Sequence, residues 1–198
     1  MTLRWDTRSR VSTGVQSWMY GVTTDPDYSA YESISTTTIT SDTASVTFSS
    51  IPQTYKHLQL RMYAKTDRTD LEDVTLVQFN GDTAANYSYH NIRGNGAAAT
   101  SDAAASTSAI YLHFASTGST GVTNIFGSSV LDILDYADTN KYKTTRSLHG
   151  FDANGSGRVY LASGNWRSTS AITSIVLDQQ FGTNWKQYSS FALYGIKG

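Results

Sequence analysis

The chain has 198 residues, 15 basic and 16 acidic side chains, and no cysteine. This composition excludes a disulfide framework and thiolate metal sites, and the balanced charge gives no indication of a nucleic-acid partner. No run of 18 apolar residues and no apolar signal segment occurs, so we expect no membrane partner, and synthesis and folding in a cytoplasm.

The first part of the chain, residues 1–28, differs in composition from the rest. Its arginines and tryptophans are Arg4, Trp5, Arg8, Arg10 and Trp18. The apolar residues between the arginines keep no period of 2 or 3.6, so neither a strand nor a helix is indicated. We therefore predict an extended arm over residues 1–28 and a domain over residues 29–198. The alternative is that residues 1–28 form an edge strand and loop of the same domain.

Short segments with strand-like alternation follow the arm, and turn residues separate them. They cover residues 33–39, 44–48, 57–65, 74–79, 87–92, 110–114, 130–136, 144–151, 158–163, 172–177 and 191–196. No convincing amphipathic helix interrupts them. This pattern predicts an all-β fold, an antiparallel β-sandwich that is jelly-roll-like and carries an extended N-terminal arm.

Three segments allow sharper predictions. Between residues 57 and 65 apolar and polar side chains alternate, which predicts a half-buried antiparallel strand. Asn80-Gly81 indicates a type I′ turn, because both central residues of that turn need positive φ. The low-complexity run Ala97 to Thr107 has no apolar stripe, so we predict a flexible loop there rather than a short helix.

The last two strand segments, residues 172–177 and 191–196, are separated by a connection that contains Gly182, Asn184 and Trp185. Both segments alternate with a period of two. We predict that they belong to one antiparallel sheet and complete a sheet set formed by the rest of the chain.

Side chains that carry catalysis or bind metals are scattered along the chain. The histidines are His57, His90, His113 and His149, and one acidic loop holds Asp67, Asp70, Glu72 and Asp73. The histidines lack metal-ligand spacing, and a solvated surface is favoured over a Ca²⁺ site for the acidic loop. A glycosidase pair drawn from Asp132, Asp135 and Asp178 is disfavoured against turn caps and cross-strand ion pairs. We predict that the protein is not an enzyme and has no catalytic residue, metal or cofactor.

Seven aromatic residues admit two interpretations. They are Tyr87, Tyr89, Tyr111, Tyr136, Tyr142, Trp166 and Trp185. Such rings stack on sugars in lectin-like sandwiches, and they also pack in cores and subunit interfaces, where tyrosine and tryptophan are enriched. We favour the packing interpretation.

Several stretches together resemble a known family. They are residues 46–58 (VTFSSIPQTYKHL), 77–88 (VQFNGDTAANYS), 142–144 (YKT), 166–172 (WRSTSAI) and 190–197 (SFALYGIK). Over about Tyr31 to Gly198, the chain resembles a family of virion structural proteins of tailed bacteriophages. That family carries no catalytic motif that could be transferred to this chain.

The resemblance and the short length, without a shaft or coiled coil, imply a capsid cement or decoration protein on the outer capsid surface. Its partners would be the major capsid protein and copies of itself, as a homotrimer over the joints between capsomers. The arm residues Arg4, Trp5, Arg8, Arg10 and Trp18 would contact neighbouring subunits. The protein would be made in the host cytoplasm and reside in the virion. The alternative is a tail or tail-fibre module that binds a host receptor or a glycan.

Overall fold

The computed structural model of the protein describes residues 30–116 and 123–198, with side chains at all of these positions except 113–116. The predicted arm over residues 1–28 lies outside the described residues and stays a prediction. Over the described part of the chain, the regular structure consists of twelve β-strands and no helix. The strands are β1 (Tyr31–Thr38), β2 (Val46–Phe48), β3 (His57–Ala64), β4 (Glu72–Phe79), β5 (Tyr87–Gly94), β6 (Ala99–Thr107), β7 (Ile110–Ser116), β8 (Gly127–Leu134), β9 (Lys143–Asp152), β10 (Gly157–Trp166), β11 (Ile175–Gln179) and β12 (Ser190–Ile196).

Two antiparallel sheets form a β-sandwich, and eight of the strands give it a jelly-roll topology. In the larger sheet β1, β12, β3 and β8 are neighbours, and the smaller sheet has the order β2-β11-β4-β7. The links that cross between the sheets include those from β1 to β2, from β2 to β3, from β3 to β4, from β7 to β8 and from β11 to β12. This double winding is the jelly-roll arrangement, so the predicted fold class is confirmed.

The hydrophobic core lies between the two sheets of the jelly roll. A strand turns every second side chain inward, and β3 buries Leu58, Leu60 and Met62 in this way. Its residues Arg61 and Tyr63 are exposed, which confirms the half-buried strand predicted between residues 57 and 65. The smaller sheet contributes Val46, Phe48, Val77, Phe79, Ile110, Leu112, Ile175 and Leu177 to the same core.

Four further strands, which we call the added strands, extend the larger sheet beyond β8. They form two hairpins, β5–β6 inserted between β4 and β7, and β9–β10 inserted between β8 and β11. They join the sheet in the order β9-β10-β5-β6, so β6 is an edge. Strand β7 of the smaller sheet packs against β9, β10 and β5.

The prediction of a loop from Ala97 to Thr107 is wrong, because Ala99–Thr107 is the edge strand β6. Its small side chains bury no apolar stripe, and most of the strand is exposed. Strand β5 supplies the hydrogen-bonding partners along its whole length, from Tyr87 opposite Thr107 to Gly94 opposite Ala99. Backbone pairing, rather than side-chain burial, therefore holds this segment extended.

Two of the connections between the sheets bear on predictions from the sequence. Asn80 and Gly81 have φ of +54° and +67°, which confirms the predicted turn, and this turn leads from β4 to β5 in the other sheet. The prediction that the last two strands share one sheet is wrong, because β11 belongs to the smaller sheet and β12 to the larger. Alternation identifies a strand but not its partner. The link between β11 and β12 crosses the sandwich with Trp185 fully buried.

Candidate interaction surface

Among the described residues, five large aliphatic side chains are exposed, and all five lie on the outer face of the larger sheet. Ile92, Val130, Leu148, Val159 and Leu161 have between 39% and 60% of their surface exposed. Val130 is opposite Leu148, Leu148 is opposite Leu161, and Leu161 is opposite Ile92. These four side chains therefore form a continuous row across β8, β9, β10 and β5, with Val159 beside it. We call the five residues the aliphatic patch.

The patch includes a depression next to Val159. This residue is opposite Gly94 on one side and Gly150 on the other, so both neighbouring positions lack a side chain. On the Gly150 side an open depression of about 630 Å³ is lined by Val130, Leu148 and Val159 among others. A Cβ at Gly150 would lie 2.4 Å from the carbonyl oxygen of Arg158. The backbone therefore requires glycine at position 150, and the depression is a built feature of the fold.

A polar and aromatic border continues the same face toward β12. Asp132 accepts hydrogen bonds from Gln59 Nε2 and Arg146 Nε, each at 2.9 Å. Arg61 donates from Nε to Gln59 Oε1 at 2.8 Å, and its guanidinium lies 4.9 Å from the ring centroid of Tyr194. The border combines charged groups with hydrogen-bonding groups in fixed positions, as the rims of protein interfaces do.

The inner face of the added strands is unusually polar. Asn91, Ser129 on neighbouring β8, and Ser147 are buried, and their side-chain polar atoms have no hydrogen-bond partner within the described residues. Lys143 is fully buried, and its Nζ donates to the carbonyl oxygens of Asp138, Lys141 and Thr169. Burial lowers the pKa of Lys143. The added strands thus direct their aliphatic side chains outward, and their inward positions combine these polar groups with buried aromatic residues such as Phe151 and Tyr160.

One charged cluster fastens the added strands to the smaller sheet. Glu72, at the start of β4, accepts a hydrogen bond from the hydroxyl of Tyr160 at 2.6 Å. Its carboxylate lies 3.0 Å from Arg158 Nε and 3.9 Å from Arg93 Nη1. Burial raises the pKa of Tyr160, and the neighbouring Glu72 raises it further.

The acidic loop that the sequence predicts to be a solvated surface has a structural role. Asp73 is fully buried and accepts from the backbone N–H groups of Val74, Phe181 and Gly182. Asp67 accepts four hydrogen bonds from Thr183 and Asn184. Burial alone would raise the pKa of Asp67, but these hydrogen bonds outweigh it and lower the pKa to about 2. The loop between β11 and β12 is therefore held by carboxylates.

The other carboxylates considered for catalysis pair with cations or hydrogen-bond to backbone. Asp135 binds Lys141 and Lys56, and these hydrogen bonds, Lys141 first, lower its pKa to about 2. Asp178 Oδ1 accepts from the backbone N–H of Gln179 at 2.9 Å. Asp132 forms the ion pair with Arg146 described above. These contacts agree with the favoured structural interpretation.

The histidines are dispersed over the described residues. His57 Nδ1 accepts from the backbone N–H of Asp135 at 2.9 Å, and His149 is buried and stacked on Tyr160 with ring centroids 5.0 Å apart. His90 is exposed, and the side chain of His113 lies outside the described ones. No group of three histidine, aspartate or glutamate residues in the described chain is placed to hold a metal ion.

Most of the aromatic residues weighed as sugar platforms are buried, which confirms the packing interpretation for them. Tyr87, Trp166 and Trp185 have at most 2% of their surface exposed. Trp166 stacks on Tyr87 with ring centroids 6.2 Å apart, and burial raises the pKa of Tyr87 to about 12. Tyr136 and Tyr89 are also buried, whereas Tyr142 is 55% exposed. A sugar would not reach the rings of Trp166 and Trp185.

The five arm residues predicted to contact partners, Arg4, Trp5, Arg8, Arg10 and Trp18, lie outside the described residues. The sequence interpretation did not find the aliphatic patch. Its one signal is β10, where Val159 and Leu161 alternate with Tyr160 and Ala162, so that both faces of the strand are apolar. Recognising the patch also requires the register that brings Ile92, Val130 and Leu148 beside β10.

No family model matches the chain, and no curated protein and no solved structure is significantly similar to it. Within the described residues, no helix is long and apolar enough to cross a membrane. The fold and the surface define the class of this protein as an antiparallel jelly-roll sandwich with an enlarged sheet that exposes an aliphatic face.

Proposed function

We propose that this protein is a bacteriophage virion structural protein, a capsid cement or decoration protein that binds the outer capsid surface and stabilises contacts between capsomers. The observation that carries the proposal is the aliphatic patch. Contiguous apolar surface with a polar border marks a place where a protein packs against another protein. We propose a phage capsid as the particle because residues 46–58, 77–88 and 190–197 resemble tailed-bacteriophage virion proteins.

Burial of the patch supplies the driving force in this proposal. Complete burial of one valine, leucine or isoleucine side chain stabilises an association by about 1.5–3 kcal/mol before the entropic cost of binding. The border of Arg61, Asp132 and Arg146 sets the orientation, because charged pairs at a rim select the partner more than they strengthen the contact. The partners are the major capsid protein and further copies of this chain.

The arm has the second role in the proposal. Arg4, Arg8 and Arg10 supply cations, and Trp5 and Trp18 supply large apolar surfaces, for contacts with neighbouring capsid subunits. Deletion of residues 1–28 is therefore expected to weaken capsid binding while the sandwich remains folded.

Co-sedimentation with capsids that lack the protein tests the proposal. We expect the full chain to bind in a fixed ratio and to raise the temperature at which the capsids rupture. The double variant Leu148→Asp/Leu161→Asp and the variant lacking residues 1–28 are both expected to bind less. Tyr188→Asp is the matched control for the charge, because Tyr188 is 69% exposed and lies outside the patch.

A different outcome would favour the alternative function. If the full chain does not bind capsids and instead attaches to host cells or to surface polysaccharide, the cement proposal is wrong. The tail module then becomes the better hypothesis. Because Trp166 and Trp185 are buried, a glycan site would then be sought at exposed rings such as Tyr142.

A further inference from the structure

The outward side chains of β9 follow an ordered pattern. After Thr144 at the start of the strand, they are Arg146, Leu148, Gly150 and Asp152, that is, a cation, an apolar projection, a gap and an anion. The side chain of Arg146 is 71% exposed, Leu148 is 60% exposed, and Asp152 is exposed as well. The gap at Gly150 is the depression beside Val159.

The outward side chains of β9 are complementary to those of a second, antiparallel copy of β9. If two copies of β9 stack face to face and antiparallel about His149, Arg146 of each copy faces Asp152 of the other. In the same arrangement Leu148 of each copy faces the depression at Gly150 of the other. Sheets that pack face to face lie about 10 Å apart, a distance that a projecting leucine fills when the opposing residue is glycine. Both the charge and the shape therefore match in the antiparallel orientation.

We propose that the aliphatic patch is covered by the same patch of a second copy of this chain, related by a two-fold axis that passes near His149. An isologous contact of this kind uses one surface twice, and the β9 pattern is what such a contact requires. The inference rests on the proposed function only in treating the patch as an assembly surface. The sequence led us to expect a homotrimer, whereas this inference gives the free protein a two-fold symmetric dimer.

The flanking strands support the same arrangement. Val130 on β8 and Leu161 on β10 lie on either side of Leu148 in the cross-strand row. In an aligned packing of two sheets, the strands lie within about 30° of each other. The antiparallel arrangement about His149 then places Val130 of each copy over Ser128 of the other and Leu161 over Val159, because Ser128 and Val159 lie opposite Gly150. Other charged or titratable groups on this side of β3, β8 and β5 include Arg61, Tyr63, Asp132 and His90, which lie around the patch.

The size of the face sets the expected strength. Four strands at ~4.8 Å spacing and four outward positions at ~6.8 Å spacing give about 500 Å² of flat sheet per copy. Specific protein interfaces bury about 800 Å² per partner, so this face is at the small end. We therefore expect a pair that forms and dissociates reversibly with concentration.

The molar mass of the free, full-length protein tests the inference first. Light scattering and sedimentation from micromolar to millimolar protein should show a rise from the 21.6 kDa of one chain toward twice that mass. A mass that stays at one chain throughout the range, or that reaches three chains, would overturn the two-fold pair.

Charge exchange then tests the orientation. Arg146→Asp and Asp152→Arg, each alone, should weaken the pairing about 10-fold or more, because each places like charges opposite each other twice. The double exchange restores opposite charges and should return the dissociation constant to within about 3-fold of the original. Failure of the double variant to recover, when its circular dichroism and unfolding midpoint match the original, would contradict the antiparallel arrangement.

One control variant checks the role of the patch, and two combinations of results distinguish this inference from the proposed function. Tyr188→Asp adds an exposed charge outside the patch and should leave the pairing unchanged. Capsid binding by a protein that stays a single chain at every concentration would refute the pairing and leave the cement function standing. Pairing in solution without capsid binding would refute the cement function and leave the pairing standing.

Discussion

The eight strands of the jelly roll and the four added strands place their large aliphatic side chains differently. In the jelly roll, apolar residues point inward and form the core. In the added strands, polar residues such as Asn91 and Ser147 point inward together with aromatic residues such as Tyr160, whereas Leu148 and Leu161 point outward. Only Tyr87 and Trp166 of the added strands belong to the described core cluster. The comparison indicates that the jelly roll supplies stability and the added strands supply a surface for association.

The largest expected effect breaks the jelly roll. Trp185 is fully buried, with its ring 5.0 Å from that of Phe191 on β12 and its Nε1 donating to the carbonyl of Leu177 on β11. Trp185→Ala should lower the free energy of unfolding by about 3–5 kcal/mol, because it leaves a cavity between the sheets. Urea unfolding measures this, with exposed Tyr188→Ala as the control. A loss below about 1 kcal/mol would contradict the role of Trp185 as a link between the sheets.

The second largest effect is expected from removing the charged cluster that fastens the added strands to the smaller sheet. Glu72→Gln removes the charge that Tyr160 and Arg158 contact and should lower the free energy of unfolding by about 2 kcal/mol. The matched control is Glu32→Gln, which removes an exposed ion pair with Lys197 and should change stability by less than about 0.5 kcal/mol. Equal losses for the two variants would show that Glu72 does not fasten the added strands.

The third effect is a loss of stability in acid. The pKa of Asp67 is about 2 in the folded protein against an ordinary 3.8, so folding favours the charged form. The stabilisation is complete above about pH 4 and is lost as the pH falls toward 2. After allowance for solvent screening it amounts to roughly 1–2 kcal/mol.

Unfolding measured from pH 6 to pH 2 checks this prediction about the loop between β11 and β12. Asp67→Asn should flatten the acid-dependent loss of stability by that amount, while the exposed Asp70→Asn should leave it nearly unchanged. The remaining slope is expected to include Asp135, whose pKa is also about 2. Identical pH profiles for Asp67→Asn and the original protein would refute the prediction.

The smallest expected effect is a gain in stability, and it tests directly whether the buried polar groups of the added strands cost stability. The buried hydroxyl of Ser147 has no partner among the described residues, so Ser147→Ala should stabilise the protein by up to about 1 kcal/mol. The matched control is Ser189→Ala. Ser189 is also buried, but its hydroxyl exchanges hydrogen bonds with the backbone of Lys65, and its loss should destabilise by about 1 kcal/mol. A loss of stability in both variants would show that the hydroxyl of Ser147 is satisfied.

Local patterns predict the strands of the jelly roll well, because half-buried strands must alternate. The segment between residues 57 and 65 is the clearest example, and the Asn80-Gly81 turn follows from the positive φ that such a turn requires. Strand β6 escapes prediction because its alanines, serines and threonines carry no alternation. It is extended because β5 offers a free edge, and that edge is created by a strand order that no local pattern specifies.

The sequence by itself determined that this protein is an antiparallel β-sandwich, because alternation and turns depend on residues that are close together in the chain. It also contains the residues of the aliphatic patch, but spread over positions 92 to 161. Only the tertiary structure decided that Ile92, Val130, Leu148 and Leu161 form one row, since cross-strand register brings together residues distant in the chain. Register likewise decided which face is buried, because a shift by one residue turns every side chain of a strand to the opposite side.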